Sequence, residues 1–168
     1  EALRWGMLGL AIKGSIWIGF AGLFLGIGLG GKRYQPQEMF LLILTMLVAV
    51  VIGWWVLNTP HDPENKQLPF LYFSDHWKWE PDATLKHRPE IWGGLLFGLF
   101  SGIVYAKFKK NDQLACNLAL WGMLGGAIGF PLGQVIQATN GWNPDFFRES
   151  FLGGLTKYFN WWNMMETT

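Results

Sequence analysis

The sequence predicts an all-α integral membrane protein. The fold we expect is a polytopic transmembrane helical bundle of about four spans, with an outward-facing loop and an amphipathic C-terminal tail. Three observations support this prediction. Charged residues make up only 15% of the chain, whereas a soluble domain carries about 25%. The chain is 51% hydrophobic and contains 22 glycines and 11 tryptophans, and both residue types are enriched in membrane helices or their interfaces. Several apolar runs also reach the length of a bilayer crossing.

The predicted spans lie near 5–30, 39–57, 92–108 and 114–138. A membrane helix needs about 20 apolar residues. The second and fourth runs satisfy this length, the first contains a lysine, and the third is short. A chain of 168 residues has room for one domain. We therefore expect residues 1–138 to form the bundle, including loop 58–91, and residues 139–168 to form an outward tail.

The charges of the short loops predict the orientation. Lys32 and Arg33 lie between the first two runs, and Lys107 and Lys109 lie close to the junction of the last two. Positively charged short loops stay cytoplasmic, and four spans place these two loops on the same side. Loop 58–91 and the tail are then expected on the non-cytoplasmic side of a bacterial inner membrane or other plasma membrane.

The expected partners follow from composition and charge. A net charge of +1 indicates no nucleic-acid partner. The apolar runs indicate contact with the lipid bilayer. We also expect other membrane subunits, or further helices of the same protein, as neighbours of the bundle.

Glycines recur at a spacing of four in three of the runs. In lipid, helices associate through close packing, which small residues permit. Each set therefore predicts one smooth groove on one helix face, a glycine zipper. The second run has a single glycine, Gly53, and bulky side chains, so we expect it to face lipid or a partner. The predicted helix-packing residues are Gly22, Gly26, Gly30, Gly94, Gly98, Gly102, Gly125, Gly129 and Gly133.

One short sequence segment occurs twice: residues 5–12 and residues 121–128 are nearly identical. On the predicted topology the two copies cross the membrane in opposite senses. This is the pattern of an inverted repeat, which many secondary transporters use. Shared packing constraints on glycine-rich helices explain the likeness equally well, so the sequence leaves both interpretations open.

The polar residues within the predicted spans include Lys13, Asn117 and Gln134. A charge inside a membrane helix is a functional hypothesis by default. The alternative for Lys13 is that its long side chain extends to the outer surface or pairs with a loop carboxylate. Asn117 and Gln134 are expected to form hydrogen bonds between helices or to lie at helix ends.

The tail has a helix start signal at Pro144, followed by Phe147, Phe151 and Leu155 at a spacing of four. Such a stripe predicts an amphipathic helix that lies at the membrane interface. The other interpretation is that the tail approaches a further span.

The outward loop contains the candidate catalytic side chains. Histidine and carboxylate groups bind metals or perform acid–base catalysis. Their spacing matches no defined metal motif, and adjacent residues in an extended stretch point to opposite faces. Turn capping and surface ion pairs are the simpler interpretation, and the sequence assigns no cofactor and no metal ligands. The weak catalytic candidates are His61, Asp62, Asp75, His76 and Glu80.

Two classes of function remain from the sequence. The first is a non-enzymatic membrane component, either a transporter segment or a packing subunit of a larger membrane complex. The glycine grooves and the scarcity of acids and histidines within the spans favour this class. The alternative is a membrane-embedded enzyme that acts on a lipid or glycan at the outer face through loop 58–91.

Overall fold

A computed structural model of the chain describes residues 2–72, 89–155 and 158, with side chains described from residue 6 onward. Within these ranges the chain is all-α: it contains no β-strand, only an isolated bridge between Asp62 and Gln67. The predicted all-α class is therefore confirmed. The helices are α1 (Ala2–Leu29), α2 (Pro36–Leu57), α3 (Trp92–Val104), α4 (Gln113–Trp142) and α5 (Pro144–Glu149). A π-helical turn (Tyr105–Lys109) directly follows α3, and a 3-10 turn (Phe151–Leu155) follows α5.

Three of these helices are long and apolar enough to cross a membrane: α1 over Gly6–Leu29, α2 and α4. A membrane location is therefore supported. The predicted span at 92–108 is not confirmed, because α3 has only 13 residues and is about 20 Å long. Its α-helical hydrogen bonding gives way to the π-helical turn at Tyr105, before the lysines of that turn.

The helices form two antiparallel pairs. α1 packs along α4, α2 packs along α3, and the pairs are joined mainly where α3 contacts α1. We call the end with segments 30–35 and 110–112 the basic end, and the end with segment 58–72 the loop end. The main core cluster between the pairs consists of Leu23, Leu42, Met46, Leu99, Ala106, Ala115, Cys116 and Ala119.

The α1–α4 pair is held by direct contact between backbones. A Cβ atom added at Gly126 would overlap the carbonyl oxygen of Gly14, and one at Gly22 would overlap the carbonyl oxygen of Leu118. A Cβ at Gly26 would in the same way overlap the backbone of α4. Missing side chains therefore let these two helices approach over several turns, as small residues do in membrane bundles.

The glycines in this contact differ from the predicted set on α4. Gly125 is exposed, and a Cβ there would meet no atom within 4 Å, whereas the next residue, Gly126, is buried against α1. A strict spacing of four drifts around a helix that has 3.6 residues per turn. Along α4, the residues that contact α1 are instead separated by three or four positions. Gly133 is buried on the same helix and Gly129 is half-buried.

Gly53 lies in the α2–α3 contact, so the run that we expected to face lipid or a partner also packs on α3 through one glycine. A Cβ at Gly53 would lie 2.5 Å from the carbonyl oxygen of Gly93. A Cβ at Gly94 would lie 2.6 Å from the carbonyl oxygen of Val50, and one at Gly98 would lie 2.8 Å from the Val50 side chain. A single glycine on α2 permits close packing of the two helices, because α3 contributes the other glycines of the contact. Most side chains of α2 are exposed, and only Leu42, Met46 and Gly53 are buried on this helix.

The repeated phrase lies on neighbouring antiparallel helices, but its two copies have different surroundings. Gly9 in the first copy is buried, whereas Gly125 at the matching position of the second copy is exposed. The opposite directions agree with an inverted repeat, and the unequal burial shows that the packing around the two copies is not symmetric.

The tail does not form the single amphipathic helix that the stripe predicts. α5 begins at Pro144 but ends at Glu149, and residues 151–155 form a 3-10 turn. Phe147 is buried, whereas Phe151 is exposed. The break lies at Ser150, whose backbone is extended (φ −81°, ψ 173°) and cannot continue the helix.

Candidate functional site

Two polar side chains are buried among the residues that the structure describes, and they lie at opposite ends of the bundle. Asn58 is 4% exposed at the loop end, and Asp112 is 1% exposed at the basic end. The core cluster between them is apolar. Polar chemistry in this part of the chain is therefore concentrated at the two ends.

The side chain of Asn58 connects the end of α2 to the beginning of α3 by hydrogen bonds. Its side-chain oxygen accepts hydrogen bonds from the backbone N–H groups of Gly93 (3.0 Å) and Gly94 (3.3 Å). These N–H groups belong to the first turn of a helix, where no intrahelical acceptor exists. A Cβ at Gly93 would lie 2.9 Å from the same oxygen. The absence of a side chain at Gly93 therefore lets the Asn58 oxygen approach the backbone N–H groups at the start of α3.

Lys13 pairs with Glu90, which precedes α3 at the loop end. Its ammonium nitrogen lies 3.6 Å from a carboxylate oxygen of Glu90. The Lys13 side chain is 16% exposed and the Glu90 side chain is 15% exposed. Of the two interpretations offered by the sequence, the structure shows pairing with a loop carboxylate. Lys13 thus lies at the same position along the bundle axis as the start of α3, near the loop end.

The structure describes two of the catalytic candidates, His61 and Asp62, and each has contacts of its own. The carboxylate of Asp62 accepts hydrogen bonds from the backbone (3.2 Å) and side chain (2.7 Å) of Asn65. These bonds hold the pKa of Asp62 below its ordinary value. The ring of His61 stacks on Tyr72, with centroids 6.1 Å apart. Asp62 is therefore an ionised acceptor that closes a turn.

The remaining candidates, Asp75, His76 and Glu80, lie outside the described residues. Within the described ranges, no group of three histidine, cysteine or acidic side chains is placed to hold a metal ion.

At the basic end, Lys110 ties two segments of the chain together. Its ammonium nitrogen donates to the Glu38 carboxylate (2.8 Å) and to the carbonyl oxygen of Arg33 (2.9 Å). It also lies 5.0 Å from the ring centre of Tyr34, which adds a cation–π attraction. The Tyr105 hydroxyl donates to the carbonyl oxygen of Glu38 (3.2 Å). The loop between α1 and α2 is thereby fixed to the segment between α3 and α4.

Asp112 completes this arrangement as the N-cap of α4. Its carboxylate accepts hydrogen bonds from the backbone N–H of Ala115 (3.1 Å) and from the Tyr34 hydroxyl (3.1 Å). Its own N–H donates to the carbonyl oxygen of Ala106 in the π-helical turn (2.9 Å). One carboxylate thus connects three elements: the loop before α2, the turn after α3, and the start of α4.

The pKa of the Tyr34 hydroxyl is expected to lie above the ordinary tyrosine value. Burial raises the pKa of its hydroxyl, and the hydrogen bond to Asp112 and the charge of that carboxylate raise it further. The raised pKa favours the protonated form in the folded state. Stability from this group is present below about pH 10, where an unfolded tyrosine is also protonated, and declines above it.

Absorbance of tyrosinate during an alkaline titration tests this expectation. Tyr34→Phe should remove an ionisation that occurs above the ordinary tyrosine pKa of about 10, and should reduce the loss of stability above that pH. Tyr158→Phe, at an exposed position, serves as the control. Loss of an ionisation at or below about pH 10 in Tyr34→Phe would contradict the assignment.

The other predicted intramembrane polar residues lie on α4. Asn117 is exposed, and its side-chain oxygen accepts a hydrogen bond from the Gln113 amide (2.8 Å). Gln134 is half-buried further along the helix. Trp121 lies four residues after Asn117 and is 70% exposed, and Gly125 is open four residues later. We call Asn117, Trp121 and Gly125 the α4 outer stripe.

Comparison with protein-family profiles, with curated proteins and with solved structures finds no match to this chain. The functional conclusion therefore rests on the geometry of its own residues. The helices are compatible with a membrane protein, and the sites at the two ends hold helices and loops together.

Proposed function

We propose that this chain is a non-enzymatic integral membrane protein that acts as a packing subunit of a larger membrane complex. We propose four spans, because α3 and the π-helical turn together run without a break from residue 92 to residue 109. Lys107 and Lys109 lie in the last part of this run, where their long side chains can extend to the headgroups.

The interior supports a packing role over a transport role. The described core cluster is apolar and is closed by glycine–backbone contacts. Lys13 is matched by Glu90, and Lys110 by Glu38. A transport path needs polar groups along its length, and here the buried polar side chains described lie only at the ends.

The α4 outer stripe is the observation that carries the proposal. Trp121 lies eight residues after the start of α4, about 12 Å along the helix, which is deeper than an interfacial aromatic belt. An amide such as Asn117 is better satisfied by a neighbouring helix than by lipid, and an open glycine permits close approach. We therefore propose that a transmembrane helix of another subunit packs on this stripe.

The proposed orientation follows the charges. The basic end faces the cytoplasm, and the loop end with the tail faces outward across a bacterial inner membrane or other plasma membrane. Four exposed basic residues at one end support this proposal under the positive-inside rule.

Photo-crosslinking in the membranes of the producing cell tests the packing role. A photoreactive phenylalanine analogue at position 121 should form an adduct with another membrane protein. The matched control is position 47 on the exposed face of α2, where Leu47 is 58% exposed and lies at a similar depth. We expect no protein adduct there. Asn117→Leu with Gly125→Leu should reduce the adduct at position 121 by about tenfold.

Two results would overturn the proposal. The first is the absence of a protein adduct at position 121 while the chain remains folded in the membrane. The second is an adduct with the mass of two copies of this chain, which would indicate self-association in place of a different subunit.

A further inference from the structure

The basic end carries four exposed cationic side chains: Lys32, Arg33, Lys107 and Lys109. The acidic side chains described at this end do not offset them. Glu38 is occupied by Lys110 at 2.8 Å, and Asp112 is buried as the cap of α4. The exposed surface of this end is therefore strongly positive even though the whole chain has a net charge of only +1.

The four cations belong to one structured surface. Lys110 hydrogen-bonds to the carbonyl oxygen of Arg33, so the loop with Lys32 and Arg33 is joined to the segment that follows Lys107 and Lys109. The Tyr34–Asp112 hydrogen bond joins the same two segments a second time. These bonds reduce the conformational entropy that a ligand would otherwise have to remove from the loop.

An exposed aromatic side chain lies among the cations. Phe108 is 78% exposed between Lys107 and Lys109. Such a side chain is unfavourable in water, but it is favourable at the boundary between headgroups and acyl chains. The surface therefore combines cations for a phosphate group with an apolar group suited to the lipid beneath it.

We propose that the basic end binds the phosphate of an anionic phospholipid in the leaflet on its own side. Arg33 offers a planar guanidinium that can hold two phosphate oxygens, and the three lysines act as point charges. Clusters of four or more basic residues beside a membrane helix attract anionic lipids. A zwitterionic phospholipid competes poorly, because its own ammonium group offsets the phosphate charge. This inference rests on the proposed crossing of the membrane.

The experiment uses the full chain in nanodiscs of phosphatidylcholine with a minor fraction of phosphatidylglycerol. Lipids retained with the protein after detergent extraction are counted by mass spectrometry and compared with the bulk composition. We expect phosphatidylglycerol to be enriched around the wild-type chain, and less so at high salt, because salt screens exposed charges. Arg33→Gln with Lys109→Gln should reduce the enrichment by about fivefold for each cation removed.

A matched pair of substitutions is the control. Lys66→Gln with Arg148→Gln also removes two exposed cations, but at positions away from the basic end, and should leave the enrichment unchanged. Absence of enrichment in the wild type, or an equal loss in the control, would overturn the proposal. Displacement of phosphatidylglycerol by millimolar inorganic phosphate would also overturn it, because the site would then bind free phosphate. A chain that does not enter nanodiscs would instead contradict the proposed membrane crossing.

Discussion

Gly126→Ala is expected to disrupt the contact between α1 and α4 and to lower the free energy of unfolding by about 3 kcal/mol. The added Cβ would overlap the carbonyl oxygen of Gly14. That atom belongs to the backbone of a helix and has no rotamer that moves it away. Relief requires the helices to separate, which also weakens neighbouring contacts such as the hydrogen bond from Ser15 to the carbonyl oxygen of Met123 (2.9 Å). Thermal unfolding in one detergent or bicelle composition measures the loss.

The neighbouring residue supplies the control for this prediction. Gly125 is exposed, and its Cβ position is open. Gly125→Ala is therefore expected to be neutral, or to stabilise the helix by up to about 1 kcal/mol through helix propensity. A second pair on α1 repeats the comparison: Gly26 faces the backbone of α4, whereas a Cβ at Gly28 meets no atom within 4 Å. Equal tolerance within both pairs would show that the helices do not pack in this register.

Asp112→Ala is expected to have a similarly large effect, a loss of about 3 kcal/mol. Removal of a helix N-cap costs about 1 kcal/mol, and loss of buried hydrogen bonds to a charged group costs about 2 kcal/mol more. The variant leaves the Ala115 N–H and the Tyr34 hydroxyl without this acceptor. Free energies of unfolding from a denaturant titration of the purified protein provide the measurement.

Asp145→Ala is the matched control for the cap. Its side chain is 80% exposed at the beginning of α5, so we expect a change within about 0.5 kcal/mol. Tyr34→Phe removes one of the hydrogen bonds to Asp112 and should fall between the two variants. If Asp112→Ala and Asp145→Ala have the same stability, Asp112 does not connect the basic end in the way described.

The helices are the part of the fold that the sequence predicts well. The apolar runs at 39–57 and 114–138 correspond to α2 and α4, because only an internally bonded helix satisfies its backbone in such surroundings. The third run was less accurately predicted. The sequence shows an apolar stretch to residue 108, but α-helical bonding ends at Val104. The length of an apolar run does not reveal where hydrogen bonding changes from the α to the π pattern.

The polar sites at the ends were largely missed. Asp112 had a local signal, because an acidic residue directly before an apolar run is a common helix cap. Its bond to Tyr34 had none, since the two residues are far apart in the chain. The same holds for Asn58, whose acceptor role depends on the start of α3 more than thirty residues later. Side chains that act through distant partners leave no pattern in the local sequence.

By itself the sequence determined the all-helical class, the membrane-compatible composition and the recurrence of glycines along three of the apolar runs. These properties depend on the number and spacing of residue types along one chain segment. Only the tertiary structure decided that Gly126 and not Gly125 meets α1, that Gly53 is buried, and that Asp112 connects three elements. Neighbouring residues on a helix point about 100° apart, so the rotation of one helix against another decides which glycine lies in the contact, and that rotation depends on every side chain between them.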